Sequence, residues 1–403
     1  MTQLASTSAA QLSYLEETTY GEVAAGTPKK LRMTGEDLTL DFTMETSKEI
    51  NASRRAPDSI VTDANAAGSI NIGFQYHEYD QFLEALLTGT FDSTFGTGGV
   101  KSMTVTFAAG DNSITDDGAN GFTGLVAGQW ILVQGAADAG NNRWHRISTK
   151  TNDKLTLDSN VSTVASESAD AVTISSSRLT EGSEDMRSFS IEKAFTDVDQ
   201  FWMHKGRVPS KLDLNFSTGQ ILSGSIGFIG ATAPRSGVTG FSAPAAAAES
   251  FGVMNAVTGV GGLYITDYQG NDLLAGTKVQ SMQLSIDAKL RGQKAIGVVG
   301  NAGVGLGTFA MTGTMEVYLL DGTIYDEALA QRHVSVTFPV YDAYLNGYAF
   351  TLEHCKLGVP KVVAGAMDTD VMLSIPFTVV APDTTNDRMI AIDRCGVAVS
   401  MDS

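Results

Sequence analysis

The chain has 403 residues, 43% of them apolar, with 42 glycines against 9 prolines and a formal net charge of −18. That length and apolar content suffice for two or three domains with a real core and exclude a disordered chain, while Gly with abundant Ser, Thr and Val favours strands and turns over long helices. The acidity excludes a grip on nucleic acid, which comes mainly from Lys and Arg displacing counterions, and predicts a repelling, soluble surface.

The N-terminal stretch "MTQLASTSAAQLSYLEETTYGE" lacks a basic region followed by an apolar one, so no signal peptide is expected. No run approaches the roughly 18 apolar residues of a membrane helix. The expectation is a product made and kept in a cytoplasm, without a membrane partner.

"DLTLDFTME" alternates Leu38, Leu40, Phe42 and Met44, which predicts a strand with one apolar face. A long flexible stretch, "INASRRAPDSIVTDANAAG", leads to a Gly-led strand carrying Ile70, Ile72 and Phe74. A short helix follows in "YDQFLEALL", with Tyr79, Phe82, Leu83 and Leu86 at helical spacing and Asp80 near its start, where the dipole favours a negative charge. Residues of about 100 to 180 read as short strands between Gly, Asp and Asn turns, which suggests a small all-β barrel or sandwich inserted at a loop tip, with flexible "FGTGGV" and "EGSEDM" at its flanks. The interrupted pattern resumes at "RSFSIEKAF" and runs through "GRVP" to "GSIGFIGA", and "RSGVTGFSAPAAAAES" then forms a linker.

The second half repeats the order. "SMQLSIDAKL" is an alternating strand, "RGQKAIGVVGNAGVGLG" a long loop, and "GTMEVYLL" a Gly-led strand with Met315, Val317 and Leu319. "YDEALAQ" is a short helix with Tyr325, Ala328 and Leu329 at helical spacing and Asp326 near its start. Val334 and Val336 match Phe189 and Ile191, "LGVP" (Leu357 to Pro360) matches "GRVP" (Gly206 to Pro209), and "LSIPFTVVA" matches "GSIGFIGA". Both halves therefore read strand, long loop, strand, helix, strand, Val-Pro turn, strand. Loops longer than about 12 residues are uncommon in compact domains and are usually functional.

Residues able to carry chemistry are few. His77, Glu78 and Asp80 gather in "YHEYD" at a strand-to-helix turn, but the matching "LDGTIYD" has no His, so a solvated turn with an N-terminal carboxylate is expected. "GNAGVGLG" lacks the dinucleotide spacing and is followed by a strand, which points to a mobile or partner-ordered loop. "SITDDGANG" lacks EF-hand spacing, and the five histidines (His77, His145, His204, His333, His354) lack ligand spacing. Cys355 and Cys395 read as buried free thiols, with a single bridge between them as the alternative that sequence leaves open. Trp130, Trp144 and Trp202 read as core or interface anchors, with a carbohydrate platform of Trp130 and Trp144 as the competing reading. No catalytic, cofactor or metal residue is assigned.

The stretches "TTYGEVAAGTPKKLRMTGEDLTLDFTMETSKEI", "GSINIGFQYHEYDQFLEALLTG" and "GTKVQSMQLSIDAKLRGQKAIG" resemble the tail tube proteins of long-tailed bacteriophages, specifically the class with the tube fold duplicated in one chain. The resemblance covers about residues 14 to 99 and 183 to 395. It implies a mainly β fold: two tandem tail-tube domains, each a β-sandwich or half-barrel with one short helix, plus a small inserted all-β domain. The first tube domain would comprise 1–99 and 181–234, the insert 100–180 on the outer tube surface, the linker 235–250 and the second tube domain 251–403.

The resemblance further implies a structural virion protein without enzymatic activity. Homotrimeric rings of pseudo-sixfold symmetry would stack helically into the conduit for DNA ejection. Its partners would be itself, other tail proteins (tape measure, terminator, distal tail protein) and transiting DNA that is not specifically bound. It would be assembled in the host cytoplasm and reside in the virion tail. Asp37, Thr39, Asp41, Thr43 and Glu45 form one polar strand face and are the candidate lumen residues. The candidate ring-stacking loops are Glu49 to Ala67 and Leu290 to Gly307, with charged residues Arg54, Arg55, Asp58, Arg291 and Lys294. The competing readings are a capsid decoration or baseplate ring protein, and an adhesin-like surface protein that contacts host glycans through the insert.

Overall fold

Glycine-bounded alternating runs become antiparallel strands throughout the computed structural model, which describes residues 4–49, 55, 58–182, 186–257, 259–267, 269–274, 278–363, 367–383 and 387–396. The first half opens with β1 (Ala10–Glu16), the short β2 (Lys29–Leu31) and β3 (Gly35–Glu36), a long hairpin of β4 (Thr39–Thr46) and β5 (Ser59–Gly73), and helix α1 (Asp80–Leu87). Six strands then close a barrel: β6 (Val100–Ala108), β7 (Ser113–Asp116), β8 (Trp130–Gln134), β9 (Trp144–Lys150), β10 (Lys154–Leu157) and β11 (Glu167–Ser175). The first half resumes with β12 (Ser177–Thr180), β13 (Phe189–Phe195), β14 (Gln200–Ser217), β15 (Ser223–Gly230) and the two-residue β16 (Arg235–Ser236). The second half comprises β17 (Tyr264–Thr266), β18 (Val279–Asp287), the small hairpin β19 (Arg291–Gln293) and β20 (Gly303–Gly305), β21 (Ala310–Tyr318), helix α2 (Thr323–Ala330), β22 (His333–Tyr341), β23 (Gly347–Leu357), β24 (Lys361–Val363), β25 (Met372–Val379) and β26 (Ile390–Cys395).

The two halves match register for register. Gly68 and Ile70 of β5 face Phe228 and Ile226 of β15, as Gly313 and Met315 of β21 face Phe377 and Ile375 of β25. The β13–β14 ladder shifts by a bulge between Phe189 and Ile191, and the β22–β23 ladder shifts between Val334 and Val336, the positions matched in sequence. The Val-Pro match is a coincidence offset by three residues. Pro209 faces Phe228 and Leu357 faces Phe377, so Leu357 holds the place of Pro209, and Pro360 that of Leu212. Tertiary register, set by which apolar residues reach the core, overrides a short motif.

One apolar core runs beneath both halves, including Ile70, Leu214, Ile226, Leu284, Met315 and Ile375. Helix α1 buries Phe82, Leu83 and Leu86 as its spacing requires, whereas α2 buries Ile324 and Ala328 and leaves Leu329 exposed. The stretch after β4 is less of a loop than its composition suggests: from Ser59 it is already strand β5. In the second half, the corresponding stretch is largely loop around the β19–β20 hairpin.

The barrel is no tethered appendage. Its Trp130 and Trp144 are buried, and with Leu132, Val161, Ala349 and Cys395 they form a cluster against the second half. Trp144 stacks on Tyr341 with ring centroids 6.0 Å apart. Trp130 Nε1 donates to Thr337 Oγ1 at 2.8 Å, and Trp144 Nε1 donates to the Leu345 carbonyl at 3.0 Å. Immediately after the barrel, β12 pairs with β26, and Arg178 forms a fully buried fork on Asp393 at 2.6 and 2.7 Å. Asp393 Oδ2 also accepts from the Trp130 backbone N–H at 2.9 Å. Removing one member of a buried pair leaves an uncompensated charge. Asp393→Ala is therefore expected to lower unfolding free energy by about 3–5 kcal/mol, measured by denaturant titration of the full chain.

Candidate assembly site

A single sheet crosses the molecule. Its strands lie in the order β4, β5, β15, β14, β18, β21, β25 and then β24 with the end of β23. Its midpoint is the seam where β14 of the first half pairs with β18 of the second, from Lys211 opposite Asp287 to Ser217 opposite Ser281. Among the described residues, β4 pairs only with β5, and β24 only with β25. The sheet therefore ends in two open edges. The outer edge of β23 is filled by β22 as far as Lys356, then falls vacant, just as β14 is filled by β13 as far as Arg207 before β18 takes over.

Alternation puts every second residue of these strands on a face away from the core. Asn71, Ser225, Asp213, Ser285, Thr312 and Thr378 stand side by side across six strands. The face is concave and bounds a trough of about 980 Å³. Hydroxyls and amides dominate it, and its charges are mostly paired. Lys211 lies 2.8 Å from Asp213 and Lys289 lies 2.6 Å from Asp287. Burial pushes the Asp287 carboxyl up, but the Lys289 ammonium and backbone N–H bring it below the usual carboxylate range. Glu316 accepts from Ser374 Oγ at 2.6 Å.

Asp37, Thr39 and Asp41 extend this polar face onto the edge strand, where all three are exposed. Asp37 Oδ1 accepts from the Ser69 hydroxyl at 3.0 Å and from the Ser69 backbone N–H. Thr43 and Glu45 continue the same strand face along the hairpin arm, beyond the last residues that pair with β15. The opposite face of that arm exposes Phe42 and Met44, with the exposed Val61 of β5 opposite Met44.

The charged residues singled out in the two loops separate. Lys294 Nζ lies 2.7 Å from Asp63 Oδ1 and donates to the Ala64 carbonyl at 2.9 Å, so it joins the second half to the first. That ammonium holds Asp63 below its ordinary pKa range. Asn301 Nδ2 adds a buried bond to the Gly230 carbonyl at 2.8 Å. Arg291 donates to the Leu306 carbonyl within its own hairpin at 3.1 Å. Arg55 and Asp58 are exposed, and Arg54 lies outside the described residues.

Other sequence readings need correction. The turn at His77, Glu78 and Asp80 is not a solvated one. Glu78 is buried and accepts from the backbone N–H groups of Arg32 and Glu249 at 2.8 and 2.9 Å. Asp80 accepts from Arg394 Nη1 at 2.6 Å and from the Tyr348 hydroxyl at 2.5 Å, and lies 2.7 Å from His77 Nδ1. Burial pushes the Asp80 carboxyl up, and the His77, Arg394 and Tyr348 contacts outweigh it and hold it low. The cluster joins helix α1 to the second half. Burial of Trp130 and Trp144 likewise removes them as a carbohydrate platform, and both cysteines are buried free thiols.

A family model for the phage tail tube protein matches residues 7–379. The chain belongs to that family. No curated protein matches it. A phage tail tube protein is a structural component of the virion tail, where it assembles with itself and with other tail proteins. The open edges and the concave face are the features of this tail tube protein suited to such assembly. Sequence reading singled out the polar face of β4 but not its place at a sheet edge, and missed the opposite edge, Val359 to Val363. Their one signal, a short β-branched run after Pro360, was absorbed into the Val-Pro match.

Gly68 shapes the β4 edge. Its φ is +131°, and an added Cβ would lie 2.6 Å from the Asp37 carbonyl and the Leu38 Cα. Gly68→Ala is expected to cost at least about 2 kcal/mol in strain and displaced backbone. Reduced thermal stability together with impaired self-assembly is the readout.

Proposed function

We propose that three copies of this chain close a ring, each supplying two adjacent sixths of its wall, and that the rings stack into the hollow tail tube through which DNA leaves the virion. One observation carries the reading: a continuous concave sheet that passes from one half to the other through backbone pairing and ends in two open edges. An open edge is an aggregation hazard, and ring closure abolishes it. Six halves of four strands make a wall of about 24 strands, which at ~4.8 Å per strand and ~40° tilt is roughly 45–50 Å across between backbones. The contacts above and below a closed ring need not close, so they propagate a filament.

In this reading the first tube domain comprises 1–99 and 181–234, the insert 100–180 sits on the outer surface, 235–250 is the linker and 251–403 is the second tube domain. The register equivalence of the two halves supports that division. The concave face lines the lumen, including Asp37, Thr39 and Asp41 at its edge. Its hydroxyls and neutralised ion pairs offer phosphates no fixed cation, so DNA slides. The tape measure, terminator and distal tail proteins meet the tube along its bore and at its two ends, and assembly takes place in the host cytoplasm.

Negative-stain electron microscopy of the purified chain is expected to show long hollow tubes with threefold rings; only monomers or solid aggregates over a range of concentration and salt would overturn the reading. Ser285→Lys with Thr312→Lys adds two cations to the concave face without removing a partner of any existing ion pair. Phage carrying both are expected to eject DNA several-fold more slowly, and unchanged ejection would remove this face from the lumen.

A further inference from the structure

The seam inside the chain is a template for a seam that one chain alone cannot make. We infer that β24 of one copy pairs with β4 of the next in the register that β14 and β18 use within the chain, with Lys361 opposite Thr39. This rests on the tube reading and gives its lateral contact residue by residue.

The equivalence is counted from matched pairs. Asp213 faces Ser225 of β15 as Lys361 faces Ser374 of β25, so Lys361 stands where Asp213 does. Asp41 likewise stands where Asp287 does, because Gly68 and Gly313 correspond, Thr39 faces Ala67, and Ser285 faces Thr312. Within the chain, Asp213 meets Ser285 and Lys211 meets Asp287. Transferred to two copies, Lys361 meets Thr39, Val359 meets Asp41, Val362 meets Leu38 and Val363 meets Asp37. Among the described residues, β24 and the preceding Val359 have no strand partner on that edge, and three of these residues are exposed valines, at 57%, 51% and 42% for Val359, Val362 and Val363.

Charge agrees with this register. Lys361 falls diagonally between Asp37 and Asp41, within reach of a long side chain on one face of an antiparallel pair. A one-residue slip would turn Lys361 toward the core, where its ammonium would be buried. Pro360, opposite Leu40, has no N–H, so the seam between copies carries one ladder bond fewer than the internal seam.

The second-half loop completes the template. It reaches over the first half through Lys294 to Asp63 and Asn301 to Gly230. The β4–β5 arm of one copy would lie in the same way on its neighbour, around Phe309 and Val380, which hold the places of Ala64 and Ala231. That contact covers Phe42, Met44 and Val61, which are 58%, 61% and 41% exposed in the single chain.

Cysteine pairs test the register in the full chain. Ala288 N donates to the Ser210 carbonyl at 2.9 Å and Thr218 N to the Gln280 carbonyl at 3.1 Å, so the pairs alternate, and those at the odd-numbered residues of β14, Asp213 with Ser285 among them, are the non-hydrogen-bonded kind. Their side chains approach closest, within the range a disulfide spans. Thr39→Cys with Lys361→Cys, and Asp41→Cys with Val359→Cys, are each expected to give covalent dimers and a closed trimer on mild oxidation. None of the four single variants should, and neither should Asp37→Cys with Val359→Cys. The two edges lie at opposite ends of the sheet, so a bond between them joins two copies. Lys361→Glu is expected to raise the critical assembly concentration about tenfold, with recovery on adding Asp41→Lys. Tubes that form without cross-linking in the first two pairs, or that cross-link in the mismatched pair, overturn the register and leave the tube reading intact. Failure of the unmodified chain to form rings or tubes overturns both.

Discussion

Backbone pairing along sheet edges is the constraint that organises this molecule. Every strand of the large sheet must place its N–H and C=O groups somewhere, and inside the chain the problem is met by laying β14 against β18. The same join makes one core continuous under both halves, because the apolar faces of the two strand sets then point to one side. It also leaves β4 and β24 as the two ends of a sheet with no strand beyond them among the described residues. A protein that met those needs internally would close a small barrel, as residues 100 to 175 do.

To join copies in the proposed way, the sheet must hold its own halves at a fixed angle, and the contacts away from the seam hold the two halves together. Arg178 on Asp393, Asp80 with Arg394 and Tyr348, the Trp130 and Trp144 cluster and the β12–β26 pairing all cross between elements distant in sequence. Buried ion pairs of this kind add little net stability over apolar packing, since desolvation offsets most of their attraction. Their geometry is nevertheless demanding: a fork of two bonds on Asp393 accepts one placement of β12 against β26. The inserted barrel thereby becomes a brace between the halves.

The acidity of the chain is not concentrated on the concave face. Its acids are offset by Lys211 and Lys289 or engaged by hydroxyls, and the rows between them are Ser, Thr, Asn and Gln. Such a surface is well hydrated and offers neither an apolar patch nor a cationic one. A net charge of −18 spread over the whole molecule still discourages indiscriminate association of copies.

Much of the fold was legible in the order of residues. Period-two alternation marked β4, β18 and β21, helical spacing marked α1, and the recurrence of the same order marked the duplication, down to the place where the β13 and β22 ladders each slip by a bulge. These are local properties, set by the direction of successive side chains. The site was less legible. The identical Val-Pro dipeptides suggested a match that the ladders displace by three residues, and the acids of "YHEYD" looked solvated until Arg394 and Tyr348 arrived from over 260 positions away. Sequence alone thus determined the elements, their repetition and their polar and apolar faces. Tertiary structure alone decided which strand borders which, where the sheet stops and which charges are buried, because those depend on partners that local chemistry does not specify.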